Sequence, residues 1–141
     1  MPRLPGRIAL VLLVASAALP ADDTHQDEPH HKGPHHVGSW GVFVGSATEG
    51  VREGDLTLGL EYSHYLAGKW AIAAVAEYSF TNDGTWVFVV PAVYNMGDWR
   101  LFAGPGIERH AGETEFLART GVGYAFELEN DWEIEPQFNI D

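Results

Sequence analysis

The strongest constraint on this chain is a two-residue alternation of apolar and polar side chains, running in stretches of about ten residues from residue 38 onward. Successive side chains of an extended strand point to opposite faces, so a period of two marks β-structure with two unlike faces. Seven strands are expected, at 38–47, 55–66, 69–80, 85–95, 99–109, 115–128 and 132–141. The segments between them, VREG, AG, TNDG, MGD, AGE and END, hold the Gly, Asn and Asp that tight turns require. Short turns between successive strands make neighbours antiparallel, so the sequence predicts an all-β, up-and-down arrangement.

Splitting each strand into its two faces gives an apolar and a polar list. Leu56, Leu58, Leu60, Tyr62 and Leu66 share one face of the second strand, interrupted by His64, against Thr57, Gly59, Glu61, Ser63 and Tyr65. In the third, Trp70, Ile72, Ala74, Ala76, Tyr78 and Phe80 oppose Ala71, Ala73, Val75, Glu77 and Ser79. The seventh sets Trp132, Ile134, Pro136, Phe138 and Ile140 against Glu133, Glu135, Gln137, Asn139 and Asp141. The fourth is ambiguous, because Val87, Val89 and Val93 stand opposite Trp86, Phe88 and Val90.

Alternation alone fits two architectures. A soluble β domain turns the apolar list inward, whereas a membrane barrel turns it toward lipid and the polar list toward the lumen. Three features favour the barrel. Trp40, Trp70, Trp99 and Trp132 open alternate strands, at what would be one rim, while Tyr78, Phe80, Tyr94, Tyr124 and Phe126 lie near the other ends of strands, as two interfacial girdles would. The polar list mixes Gly59, Gly104, Gly106, Gly121 and Gly123 with charges of both signs, as a narrow lumen needs. The expected lumen network is Glu61, Glu77, Arg100, Glu108, Arg119, Glu127, Glu133 and Glu135. The third feature is the N-terminus.

Residues 1–21 read as a secretory signal peptide: Arg3 and Arg7 precede the apolar stretch IALVLLVASAA, which is too short to span a bilayer as a helix. Cleavage is expected after Ala21, with Ala18 as the alternative. Residues 22–37 form a segment rich in His, Pro, Gly and acidic side chains, expected to be disordered. Its His25, His30, His31, His35 and His36 are candidate ligands for weak binding of Zn, Cu or Ni, since imidazole beside carboxylate suits those ions. The barrel is assigned to 38–141.

Twenty Asp and Glu against eight Lys and Arg make nucleic acid a poor partner. The absence of Cys excludes disulfides, thiolate metal sites and a Cys nucleophile. No catalytic constellation emerges. Glu61 and His64, or Ser63 and His64, fall on opposite faces of a strand and cannot act together.

The phrases GDLTLGLEYSHYL, KWAIAAVAEYSF, WRLFAGPGIERH, FLARTGVGYAFEL and WEIEPQFNID resemble the small outer-membrane β-barrel proteins of Gram-negative bacteria, of the OmpA/OmpX and porin-like kind. That resemblance implies a transmembrane barrel of eight strands, of which seven are present, with the last expected to be missing beyond Asp141. It also implies location in the outer membrane, with lipid and the outer-membrane assembly machinery as partners. The expected role is structural, adhesive or narrowly conducting and non-enzymatic. The alternatives are a metal-binding envelope protein, using the His-rich tail, and a lipid-modifying barrel enzyme; a soluble periplasmic β domain is the structural alternative.

Overall fold

A computed structural model describes residues 7–18, 38–49, 55–129 and 133–141. Its elements are all strands: β1 (Arg7–Ala18), β2 (Gly38–Glu49), β3 (Asp55–Tyr65), β4 (Trp70–Ser79), β5 (Thr85–Val89), β6 (Ala92–Met96), β7 (Trp99–His110), β8 (Glu113–Tyr124), β9 (Phe126–Glu127) and β10 (Glu133–Ile140). Every pairing is antiparallel. The fold is thus an all-β antiparallel sheet.

Turn chemistry explains the hairpins. His110 pairs with Glu113 across Ala111 and Gly112, both with positive φ (47° and 87°), which is the conformation that matches the twist of a two-residue hairpin. Gly97, at φ 61°, opens the equally short turn between Met96 and Trp99. β5 and β6 occupy one position in the sheet. Both pair with β4 and with β7, and Pro91, which has no N–H to donate, lies at the break between them. The ladder is bridged there by Ala73 N–H donating to Pro91 O at 2.9 Å and Val90 N–H to Pro105 O at 3.0 Å.

The strand edge expected to stand open is filled. β1 pairs with β2 on one side and with β10 on the other, so the order of pairings returns to its start. The seven expected positions are found within 38–141, and segment 7–18, expected to be a leader, adds a further strand in the chain as it stands here. The physical reason is that β2 and β10 each present a row of backbone donors and acceptors, and the extended segment 7–18 satisfies both. The leader expectation concerns what export removes; the strand is where those residues lie in the uncut chain.

The two faces differ sharply. Thr57, Glu61, Ser63, Glu77, Ser79, Thr85, Arg119, Glu135, Gln137 and Asn139 are buried, while Leu56, Leu58, Leu60, Trp70, Ile72, Trp86, Phe88, Val90, Trp99, Leu101, Phe138 and Ile140 are exposed. The ambiguous fourth strand is resolved, with Val87, Val89 and Val93 on the buried face. A small apolar cluster of Ala71, Ala73, Val93 and Phe102 shares that face with the charges.

Candidate functional site

The buried face is layered. Along the β7–β8 ladder, Arg100 pairs in register with Gly123, Phe102 with Gly121, and Gly104 with Arg119, so Phe102 lies at a level between two arginines. On β3 the order is matched: Gly41 pairs with Glu61, and Phe43 pairs with Gly59, which in turn faces Glu77. Phe102 thus lies between the levels of the two arginines, while Phe43 shares its level with Gly59 and Glu77.

In the first layer the Arg100 guanidinium donates to Glu61 Oε1 through Nη2, to Ser63 Oγ at 3.1 Å, and to Glu135 Oε1 from Nη1 at 3.4 Å. Ser63 Oγ donates to Glu61 Oε1 at 2.8 Å, and Gln137 Nε2 donates to Glu135 Oε1 at 2.7 Å. In the second layer, Arg119 Nη1 meets Glu77 Oε2 at 2.6 Å, while Nε and Nη2 hold the two carboxylate oxygens of Asp141 at 2.5 and 2.6 Å. Each guanidinium therefore answers two carboxylates. Burying ions this way is tolerable only because charge partners and neutral hydrogen bonds occupy the groups together.

Strand register, not sequence proximity, assembles both layers. Of the residues expected to form a polar network, Glu61, Arg100 and Glu135 meet in one layer, and Glu77 and Arg119 in the other. Glu108 is half-buried further along β7, in register with Val87 and Glu115. Glu127 is exposed and Glu133 half-buried, and the two face each other in register at the end of the sheet. Ser63, Gln137 and Asp141 were not among the expected members. Their signal was the period of two: Gln137 and Asp141 follow Glu135 on one face, and Ser63 follows Glu61.

The layers leave little free space. The cavity lined by Phe43, Glu61, Glu77, Arg100, Phe102 and Arg119 has room for about one water molecule. Small residues are required where the rings and charges reach across. A methyl on Gly121 would stand 2.6 Å from Phe138 O and collide with the Phe102 ring, and one on Gly123 would collide with the Glu135 carboxylate.

One arrangement at the far end has the composition of a hydrolytic site. Thr85 Oγ1 lies 2.8 Å from His110 Nδ1, and His110 Nε2 lies 4.0 Å from Asp83 Oδ2. His110 thus faces both Thr85 and Asp83. Thr85 is 0 % exposed, however, and the contact ties the start of β5 to the end of β7, where the two residues are in register. Ser63 is likewise buried and donates to Glu61, whereas His64 lies on the other face. No group of three His, Cys, Asp or Glu suited to a metal ion occurs among the described residues. His25, His30, His31, His35 and His36, the candidate Zn, Cu or Ni ligands, lie outside the described residues.

The exposed face ends in paired aromatic rings. Trp40 and Tyr62, Trp70 and Tyr94, and Trp99 and Tyr124 are cross-strand neighbours with ring centroids 4.7, 4.9 and 5.0 Å apart, all at one end of the sheet. At the opposite end Tyr78 packs on Phe80 and Trp86, and Trp86 stacks on Phe88. Trp132 lies outside the described residues. Comparison of the chain with protein-family models gives no match, and neither does comparison with curated proteins.

Proposed function

We propose that this protein is a small outer-membrane β-barrel that serves as a structural or adhesive element, non-enzymatic and closed to solutes. The observation that carries the reading is the inversion of the two faces: charged and amide side chains are buried while leucines, tryptophans and phenylalanines are exposed. In water such an arrangement leaves a large apolar surface unsolvated, a cost that contact with hydrocarbon removes. The dimensions support it. The ten steps from Trp70 to Phe80 extend about 33 Å, or about 23 Å along the normal at a 45° tilt, close to the apolar band of outer-membrane barrels. The aromatic pairs at the two ends suit the headgroup level, where rings with a polar edge are favoured.

The closed character follows from the interior. Two arginine–carboxylate clusters and the rings of Phe43 and Phe102 fill the interior, as side chains do in a barrel of small strand number. Narrow conductance is the weaker variant of this reading, because a solute must break an ion-paired layer to pass.

Fractionation of cells expressing the full chain tests the membrane assignment. The protein is expected in the outer-membrane fraction, extracted by detergent and not by high salt or carbonate. Folded, monodisperse protein in detergent-free supernatant would overturn the reading. Planar-bilayer recording tests the second half, where stable conductance steps would remove the claim of a closed interior.

A further inference from the structure

The buried face carries more negative charge than its arginines answer. Glu61 and Glu135 meet one guanidinium, that of Arg100, while Glu77 and Asp141 meet that of Arg119. All four carboxylate side chains are nine-tenths or more buried. Ser63 and Gln137 donate hydrogen bonds to Glu61 and Glu135, but neutral donors bring no charge. Each cluster is thus one positive charge short, in surroundings where an unanswered charge is costly.

The two clusters share a cavity. Glu61 and Arg100 line it from one, Glu77 and Arg119 from the other, and Gln137 and Asn139 from β10. Asn139 is 2 % exposed, and its Oδ1 has no hydrogen-bond partner among the described residues. The space suits about one water molecule, and a bare Na+ or K+ ion is no larger than that. Water there would satisfy the amide oxygen and leave both clusters short of charge. A monovalent cation answers both needs. Divalent ions fit poorly. Ca2+ takes about six to eight oxygen ligands and Mg2+ keeps several waters, for which there is no room. Transition metals favour imidazole or thiolate, and the lining has neither.

We propose that this cavity binds one small monovalent cation, Na+ or K+, through Asn139 Oδ1 and the carboxylates of Glu61 and Glu77. Arg100 and Arg119 repel the ion, but each is outnumbered by its own carboxylates, so the two clusters together attract it. The site follows from the buried face alone, whether lipid or water covers the exposed one.

The test uses the full chain in nonionic micelles, or in buffer if it stays folded without them. Chloride is held constant while choline, too large for the cavity, is replaced by Na+ or K+, and urea unfolding is followed by circular dichroism. Raising Na+ or K+ from about 50 to about 500 mM is expected to increase the folding equilibrium constant by up to about tenfold, the limit for one ion bound only to the folded state. Asn139→Leu removes the oxygen at similar side-chain size and should flatten that dependence. Should this variant not fold, sodium-23 relaxation on the unaltered protein replaces it, with broadening that K+ relieves and choline does not. Equal stability in sodium, potassium and choline overturns the inference, since the cavity then holds water and protons answer the charge. An unchanged cation dependence in Asn139→Leu also overturns it, by placing the ions on the acidic surface, as does broadening that choline relieves equally.

Discussion

Phe43 lies over Gly59 of the neighbouring strand, and its ring fills the space in which a side chain at position 59 would stand. The pair packs on the buried face at the level of Glu77, which Gly59 also meets in register. Gly59→Ala puts a methyl into the ring, and Phe43, which is buried, must leave its position. The expected loss is about 1–3 kcal/mol, the usual cost of overpacking, read as a lower urea midpoint in micelles. Phe43→Ala combined with Gly59→Ala should be less destabilised than the two single effects added together. Additive effects would show that ring and glycine are not in contact.

Arg100 answers both Glu61 and Glu135, so its removal strands two buried carboxylates at once. Arg100→Met is expected to lose about 3–5 kcal/mol, well beyond the effect of a surface ion pair. Adding Glu61→Gln and Glu135→Gln should return most of the stability, because the amides carry no charge to be answered. A triple variant as unstable as Arg100→Met alone would mean that the arginine acts through packing, and that charge balance is secondary.

Strand positions were legible in the sequence because a period of two with Gly, Asn and Asp turns leaves little freedom. The expected strand at 55–66 is found as Asp55–Tyr65, and that at 99–109 as Trp99–His110. The buried face of the fourth strand was not legible, since Val87 and Trp86 are both apolar. It is decided by neighbours, Val87 standing in register with Glu77 and Glu108 on the buried side. Nor could the sequence say which carboxylate meets which arginine. Arg100 and Glu61 are 39 residues apart, and their meeting depends on the register of strands that are not joined by a single turn. β1 was not legible as a strand, because its continuous apolar run has no alternation and reads as a leader. Its place comes from the unpaired edges of β2 and β10, a property of the assembled sheet that no local pattern records.

The three cross-strand pairs Trp40–Tyr62, Trp70–Tyr94 and Trp99–Tyr124 place three indoles at one end of the exposed face, and Trp86 at the other. In a bilayer these four indoles should lie at shallow depth, near the headgroups. Variants keeping one Trp at a time, the others changed to Phe, are expected to be quenched most by lipids brominated near the headgroup and least by those brominated near the chain end. Trp40, Trp70 and Trp99 should also share one accessibility to a water-soluble quencher added on one side only, with Trp86 opposite. Four indoles unaffected by any brominated lipid would place the exposed face in water.

Depth along that face gives the sharpest distinction between lipid and water. Leu60 lies in the middle of β3, between the levels of Tyr62 and Tyr78, in register with Val42 and Ala76; Leu66 lies just beyond the strand end. Both are exposed, so in water an arginine at either site would change stability little, by about 0.5 kcal/mol or less. Against hydrocarbon the two sites differ. Leu60→Arg should cost about 2–4 kcal/mol and Leu66→Arg about 0–1, because the penalty for a charge falls from the bilayer centre toward the interface. Measured by urea unfolding in lipid vesicles, equal and small effects at both positions would assign this face to solvent. A large loss at Leu60 alone follows only if the leucines of β3 are solvated by lipid.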